Sequence, residues 1–208
     1  MAAIAGLGLG ATAWAQNPDF APTNPADLGR PAGLLGSSYT QIEYNYIDLD
    51  GWGPNHADGF GVTLNQPFMP NVDYHLSYDY ASAKFMGTRL RVHDAEFGMT
   101  LHTQQAWGKP FVMAGAGWQW QKGGGSSDDS FAFRVGTGVE FQVAPAITVT
   151  PFANFVRATS FGANEYELGA KATYRFNEKW SATARAQYEA VDNAPDSQEF
   201  SLGVNYHF

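Results

Sequence analysis

The chain has 208 residues, with 12 Lys and Arg against 20 Asp and Glu, a formal charge of −8 and no cysteine. A disulfide scaffold, a Cys-ligated metal site and a cysteine nucleophile are therefore excluded. An acidic chain without a basic run argues against nucleic acid as a partner. Charged residues make up only 15%, yet there are 31 aromatic residues (15 Phe, 10 Tyr, 6 Trp), too many for a disordered chain. No stretch approaches the 18 apolar residues of a spanning helix.

Residues 1–15 are rich in Ala, Gly and Leu and carry no charge. They end in Ala13-Trp14-Ala15, the small-x-small pattern that precedes signal cleavage. The usual basic n-region is absent, so the expected start lies upstream. Residues 16–36 hold Pro18, Pro22, Pro25 and Pro31 among polar spacers. They read as a linker or a short plug.

From 37 to 208 the pattern alternates with period two, the mark of two-faced strands. Ten strands are predicted: 37–49, 58–68, 71–82, 93–103, 110–121, 130–143, 146–157, 164–176, 179–191 and 197–208. Eight remains the alternative if the fourth or seventh is misassigned. The eighth is the clearest. Tyr166, Leu168, Ala170, Ala172, Tyr174 and Phe176 fall on one face; Glu165, Glu167, Lys171 and Arg175 fall on the other.

Across nine strands the apolar face carries no charge. The polar face carries Glu43, Asp73, Asp79, Asp94, Glu96, Arg134, Glu140, Glu165, Glu167, Lys171, Arg175, Arg185, Glu189 and Glu199. The seventh strand is left out, because Pro151 and Phe152 blur its parity. Tight turns at Phe68-Met69-Pro70-Asn71, Ala144-Pro145 and Asn177-Glu178-Lys179 alternate with longer connections at 49–57, 84–92 and 122–129. This predicts an all-β, closed, up-and-down antiparallel barrel with both termini at the short-turn end.

A soluble barrel turns its apolar face inward, whereas a membrane barrel turns it to lipid. Strands of 11–14 residues suit a tilted crossing. The outward rings gather at strand ends, among them Phe176 and Trp180 at one end and Tyr78, Tyr80, Trp118 and Trp120 at the other. Leu64, Leu76, Val135 and Leu202 lie between. Rings at headgroup level around an aliphatic band form two girdles. Lipid cannot satisfy a free strand edge, so the first strand must pair with the tenth.

The chain ends Ser201-Leu202-Gly203-Val204-Asn205-Tyr206-His207-Phe208. This resembles the terminal assembly signal of bacterial outer-membrane β-barrel proteins. With the signal peptide and the girdles, residues 37–208 resemble that superfamily, small OmpA/OmpX-like or ten-stranded porin-like barrels. The resemblance implies export through the periplasm to the outer membrane of a Gram-negative bacterium. It implies insertion by the barrel assembly machinery, which would recognise Gly203, Tyr206 and Phe208. Outer-membrane lipid and lipopolysaccharide would surround the barrel, and a monomer is compatible with this.

The predicted lumen is lined by Glu43, Asp73, His75, Asp79, Glu96, Arg134, Glu140, Glu167, Lys171, Arg175, Arg185, Glu189 and Glu199. Opposite charges on neighbouring strands are expected to pair. The lumen is then either a narrow, cation-preferring pore or plugged by its own charge network. A structural or surface-interaction barrel is the alternative. No cofactor, no metal and no enzymatic activity are expected, with an outer-membrane hydrolase (protease or lipid A-modifying) as a further alternative. Asp73, His75 and Ser77 invite a hydrolase reading, but groups at i, i+2 and i+4 of one strand are nearly 7 Å apart, too far for a relay. The omptin proteases place their catalytic pairs at the outer rim, whereas Asp73 follows a short turn. His56 and Asp58 with Asp48 and Asp50 are the acidic and imidazole groups nearest a cation site, a pattern that solvated turns share. Residues 123–129, rich in Gly, Ser and Asp, are expected to be a flexible loop tip, not a phosphate cradle.

Overall fold

A computed structural model describes residues 33–49, 56–85, 88–192 and 196–208. The expected signal segment 1–15 and most of 16–36 lie outside them. Ten antiparallel strands close into one barrel: β1 (Tyr39–Leu49), β2 (His56–Met69), β3 (Val72–Phe85), β4 (Thr88–His102), β5 (Lys109–Gly123), β6 (Ser126–Ala144), β7 (Ile147–Ala158), β8 (Ala163–Arg175), β9 (Trp180–Val191) and β10 (Ser197–His207). Each strand pairs with its sequence neighbours. β1 closes the ring on β10, from Tyr39 opposite His207 to Leu49 opposite Ser197. The eight-strand alternative is thereby set aside.

The period-two sequence becomes an inside-out molecule. Leu168, Leu202 and Ile42 are 66%, 67% and 62% exposed, while Glu140, Glu199 and His75 are wholly buried. Exposed aliphatics with buried charges are the reverse of a soluble protein, and match a barrel set in hydrocarbon. The outward rings interlock along the girdles. Trp180 packs on Tyr206 at 5.0 Å, and His93 stacks on Trp120 at 5.4 Å and 4°.

Two outer connections differ from expectation. β4 begins at Thr88 and β6 at Ser126, four or five residues before their predicted starts. Phe85 pairs with Thr88 and Gly123 with Ser126, so only two residues separate the paired strands in each case. At the second turn Gly124 and Gly125 have φ of +60° and +85°. Positive φ at both central residues is the I′ geometry that suits the strand twist. Hence 126–129 is paired strand, not loop tip. Polar residues concealed it, because a strand above the membrane has water on its outer face.

Candidate functional site: the barrel interior

The seventh strand's blurred parity resolves with Pro151 facing out and Phe152 facing in. Phe152 joins Phe111, Met113 and Leu35 in a buried apolar cluster at the short-turn mouth. Leu34 and Leu35 arrive from the segment that precedes β1, and both are buried. Polar bonds hold this segment. The Gly36 amide donates to Asp73 Oδ2 at 2.7 Å, and Lys109 Nζ to the Leu35 carbonyl at 3.4 Å. Asp73 Oδ1 also lies 3.7 Å from His102 Nε2.

A second inward apolar cluster, Ile47, Ala57, Ala81, Ala83 and Val92, sits near the outer mouth. Two apolar clusters thus lie at opposite ends of the charged region. At the strand ends the inward face is apolar, and a face free of charge carries no signal for such residues.

Between the clusters lie two arginine-centred networks. Arg134 on β6 donates from Nε to Glu96 Oε2 at 3.0 Å and from Nη1 to Glu167 Oε1 at 2.5 Å. His75 Nε2 lies 3.2 Å from Glu96 Oε1, and Asn154 Nδ2 donates to Glu167 Oε2 at 2.7 Å. Arg185 on β9 donates from Nη2 to Glu199 Oε1 at 2.5 Å, to Ser201 Oγ at 2.8 Å and to Glu43 Oε1 at 3.3 Å. Gln187 joins this network to Glu189 at 2.6 Å.

Among the described residues the expected pairing of opposite charges on neighbouring strands is met by Arg185 with Glu199, whereas Arg134 with Glu96 and Glu167, and Arg185 with Glu43, span two strands. Three directly opposed pairs carry like charge: Asp79 faces Asp94, Glu167 faces Glu189, and Lys171 faces Arg185. Arg134 passes over the adjacent strands to reach β4 and β8. A closed tube permits this, because side chains two strands apart converge toward the axis. Lys109, buried and opposite Glu140, was missed because the predicted fifth strand began one residue later.

The inward glycines make room for larger neighbours. A Cβ on Gly115 would stand 2.6 Å from Glu96 Oε1, and one on Gly98 would strike the His75 ring. Arg175 lies at the rim rather than in either network. Its guanidinium donates to the Asn177 and Glu178 carbonyls of the β8–β9 turn.

Asp73, His75 and Ser77 do not converge. Asp73 binds the Gly36 amide, His75 binds Glu96, and Ser77 Oγ has no hydrogen-bond partner among the described residues. His56 and Asp58 face outward at the rim 3.8 Å apart, where Tyr44 Oη also donates to Asp58. Asp50 lies outside the described residues. Three carboxylates, Glu165, Glu167 and Glu189, place ligand atoms within 4.8 Å of one another near the outer end. Gly203 faces inward, while Tyr206 and Phe208 face outward at the short-turn end, beside the seam where the Phe208 amide bonds the Ser38 carbonyl. Tyr78, Tyr80, Trp118, Trp120, Phe176 and Trp180 all point outward.

No sequence family and no curated protein sequence matches the chain. Solved structures do resemble it. The β domain of the Bordetella autotransporter BrkA superposes with a TM-score of 0.50 at 14% identity, over 83% of this chain and 99% of that one. An outer membrane channel from Pseudomonas putida F1 gives 0.49 at 9%, over 83% and 96%. Neisserial surface protein A gives 0.45 at 16%, over 82% and 97%. Ten strands closed on themselves, lipid-facing side chains outside and buried charges inside give this chain the fold of the outer-membrane β-barrels of Gram-negative bacteria.

Proposed function

We propose that the chain is a shut outer-membrane barrel, acting through its outer hairpins and rim rather than as a standing pore. The burial of its inward side chains carries this reading. Lys171, Glu140, His75 and Glu199 are at most 1% exposed, so no column of water lines them. The apolar clusters toward the two mouths and the seated Leu34 and Leu35 add to it. The assembly machinery, reading Gly203, Tyr206 and Phe208, would insert the barrel. Asp73, His75 and Ser77 have separate surroundings, which speaks against a hydrolytic relay in this row. The test is conductance of the refolded full chain in a planar bilayer under a KCl gradient. A silent bilayer with folding verified is expected; sustained openings of the parent protein would overturn the reading.

A narrow cation path is the second reading, favoured by one observation. Among the described residues, Asp79, Asp94, Glu165 and Glu189 form no ion pair with Lys or Arg. Such an acidic surplus would select cations in any opened state. Substituting both Leu34 and Leu35 by Ser would then give cation-selective openings.

A further inference from the structure

Outside the barrel the sign of the charge reverses. At the outer end of β3, β4 and β5, Lys84, Arg89, Arg91 and Lys122 are exposed on the outward face. They are four of the 12 Lys and Arg in a chain of net charge −8. The register sets them in like pairs, Lys84 directly opposite Arg89 and Arg91 directly opposite Lys122. Opposed like charges repel. Among the described residues no carboxylate forms an ion pair with any of the four. The nearby acids do not neutralise them. Asp58 is engaged by Tyr44 and His56, and Asp129 lies one row lower, opposite Trp120.

Their height identifies what they meet. Tyr80, His93 and Trp120 form one cross-strand row of the outer girdle. The next outward row holds Arg91 and Lys122, and the row beyond it Lys84 and Arg89. At 3.3 Å per residue and a tilt near 40°, these rows lie about 5 Å and about 10 Å above the girdle. Girdle rings mark the membrane interface, so the cations stand at and just above the headgroups. A groove of about 490 Å³ on this face is framed by Tyr44, Phe60 and Tyr80 and reaches Lys84 and Arg89; Asp58 also lines it, its carboxylate held by Tyr44 and His56.

We propose that this shelf binds the phosphorylated headgroup of an outer-leaflet lipid, lipopolysaccharide. Phosphate would lie between the paired cations while sugar and acyl chain follow the aromatic groove. Two guanidinium groups suit bidentate phosphate contacts, and the two ammonium groups add point charge. The anion would relieve the repulsion within each pair. The site does not depend on whether the lumen conducts.

The test is the thermal unfolding midpoint of the full chain, refolded in zwitterionic detergent and titrated with purified lipopolysaccharide. Lipopolysaccharide should raise the midpoint saturably, because a ligand of the folded state stabilises it. Arg91→Gln/Lys122→Gln should weaken the apparent affinity at least tenfold, and adding Lys84→Gln/Arg89→Gln should abolish the shift. Lys179→Gln, a charge removed at the opposite end, should leave it unchanged. Dephosphorylated lipid and inorganic phosphate should each give no shift. A parent protein indifferent to lipopolysaccharide, a shift retained by the quadruple variant, or an equal shift with either control would overturn the proposal. The variants change exposed side chains only, and the heat-modifiable band on a gel verifies that they fold.

Discussion

Arg134 and Glu167 meet at 2.5 Å although a whole strand, β7, lies between the strands that carry them. The closed sheet favours the contact, because it turns both side chains inward toward the barrel axis. In an open sheet two residues on alternate strands would stand about 10 Å apart, twice the inter-strand spacing. The same guanidinium reaches Glu96 on the other side. One buried cation therefore joins three strands that do not neighbour one another, and its removal tests the interior as a whole.

Arg134→Met should destabilise the barrel by about 3–5 kcal/mol, because it leaves Glu96 and Glu167 buried without their cation. Urea unfolding in detergent micelles measures it. Arg175→Gln, at the rim, should cost under about 1 kcal/mol. Equal effects would mean the network contributes no more than an exposed charge.

Glu165→Gln should raise stability by roughly 0.5–1 kcal/mol at neutral pH. Glu165 Oε1 is buried without a hydrogen-bond partner among the described residues and lies in the cluster with Glu167 and Glu189. The amide removes a charge from that crowd at nearly constant volume. A lower urea midpoint would show that this carboxylate has a counter-ion in solution.

Leu35→Ala should cost about 2 kcal/mol or more, since it empties the space beside Phe111, Met113 and Phe152. It should also expose the preceding segment to protease added on the periplasmic side. Unchanged stability would mean the segment is not seated in the mouth.

Gly98→Ala should destabilise by about 1–3 kcal/mol, because the new methyl meets the His75 ring. That ring is fully buried and tied to Glu96, so it has little room to withdraw. The double variant Gly98→Ala/His75→Ala should recover part of the loss, and a strictly additive pair would contradict the contact.

Phe208→Ala should slow membrane insertion in cells several-fold while leaving the detergent-refolded barrel within about 1 kcal/mol of the parent. Tyr206 and Phe208 face outward, so their rings support little of the interior. Pulse-chase of the heat-modifiable band separates the two effects. A large loss of stability in detergent would assign Phe208 to packing rather than assembly.

The inside-out barrel was legible in the residues, since period two separates Leu168, Ala170 and Tyr174 from Glu167, Lys171 and Arg175 without reference to any partner. Closure followed from the same pattern, because lipid leaves no alternative for an unpaired edge. Outer-hairpin lengths were not legible: Arg89, Arg91, Ser126 and Asp128 are as compatible with a loop as with a strand above the membrane. The sequence also could not assign ion-pair partners. Pairing in a tube depends on which side chains converge near the axis, and that is fixed by register and closure together. Nor could it show that Leu34 and Leu35 meet Phe111 and Phe152, or that Lys84, Arg89, Arg91 and Lys122 form one shelf. Alternation assigns each residue to a face; only the register of neighbouring strands decides which residues on that face stand side by side.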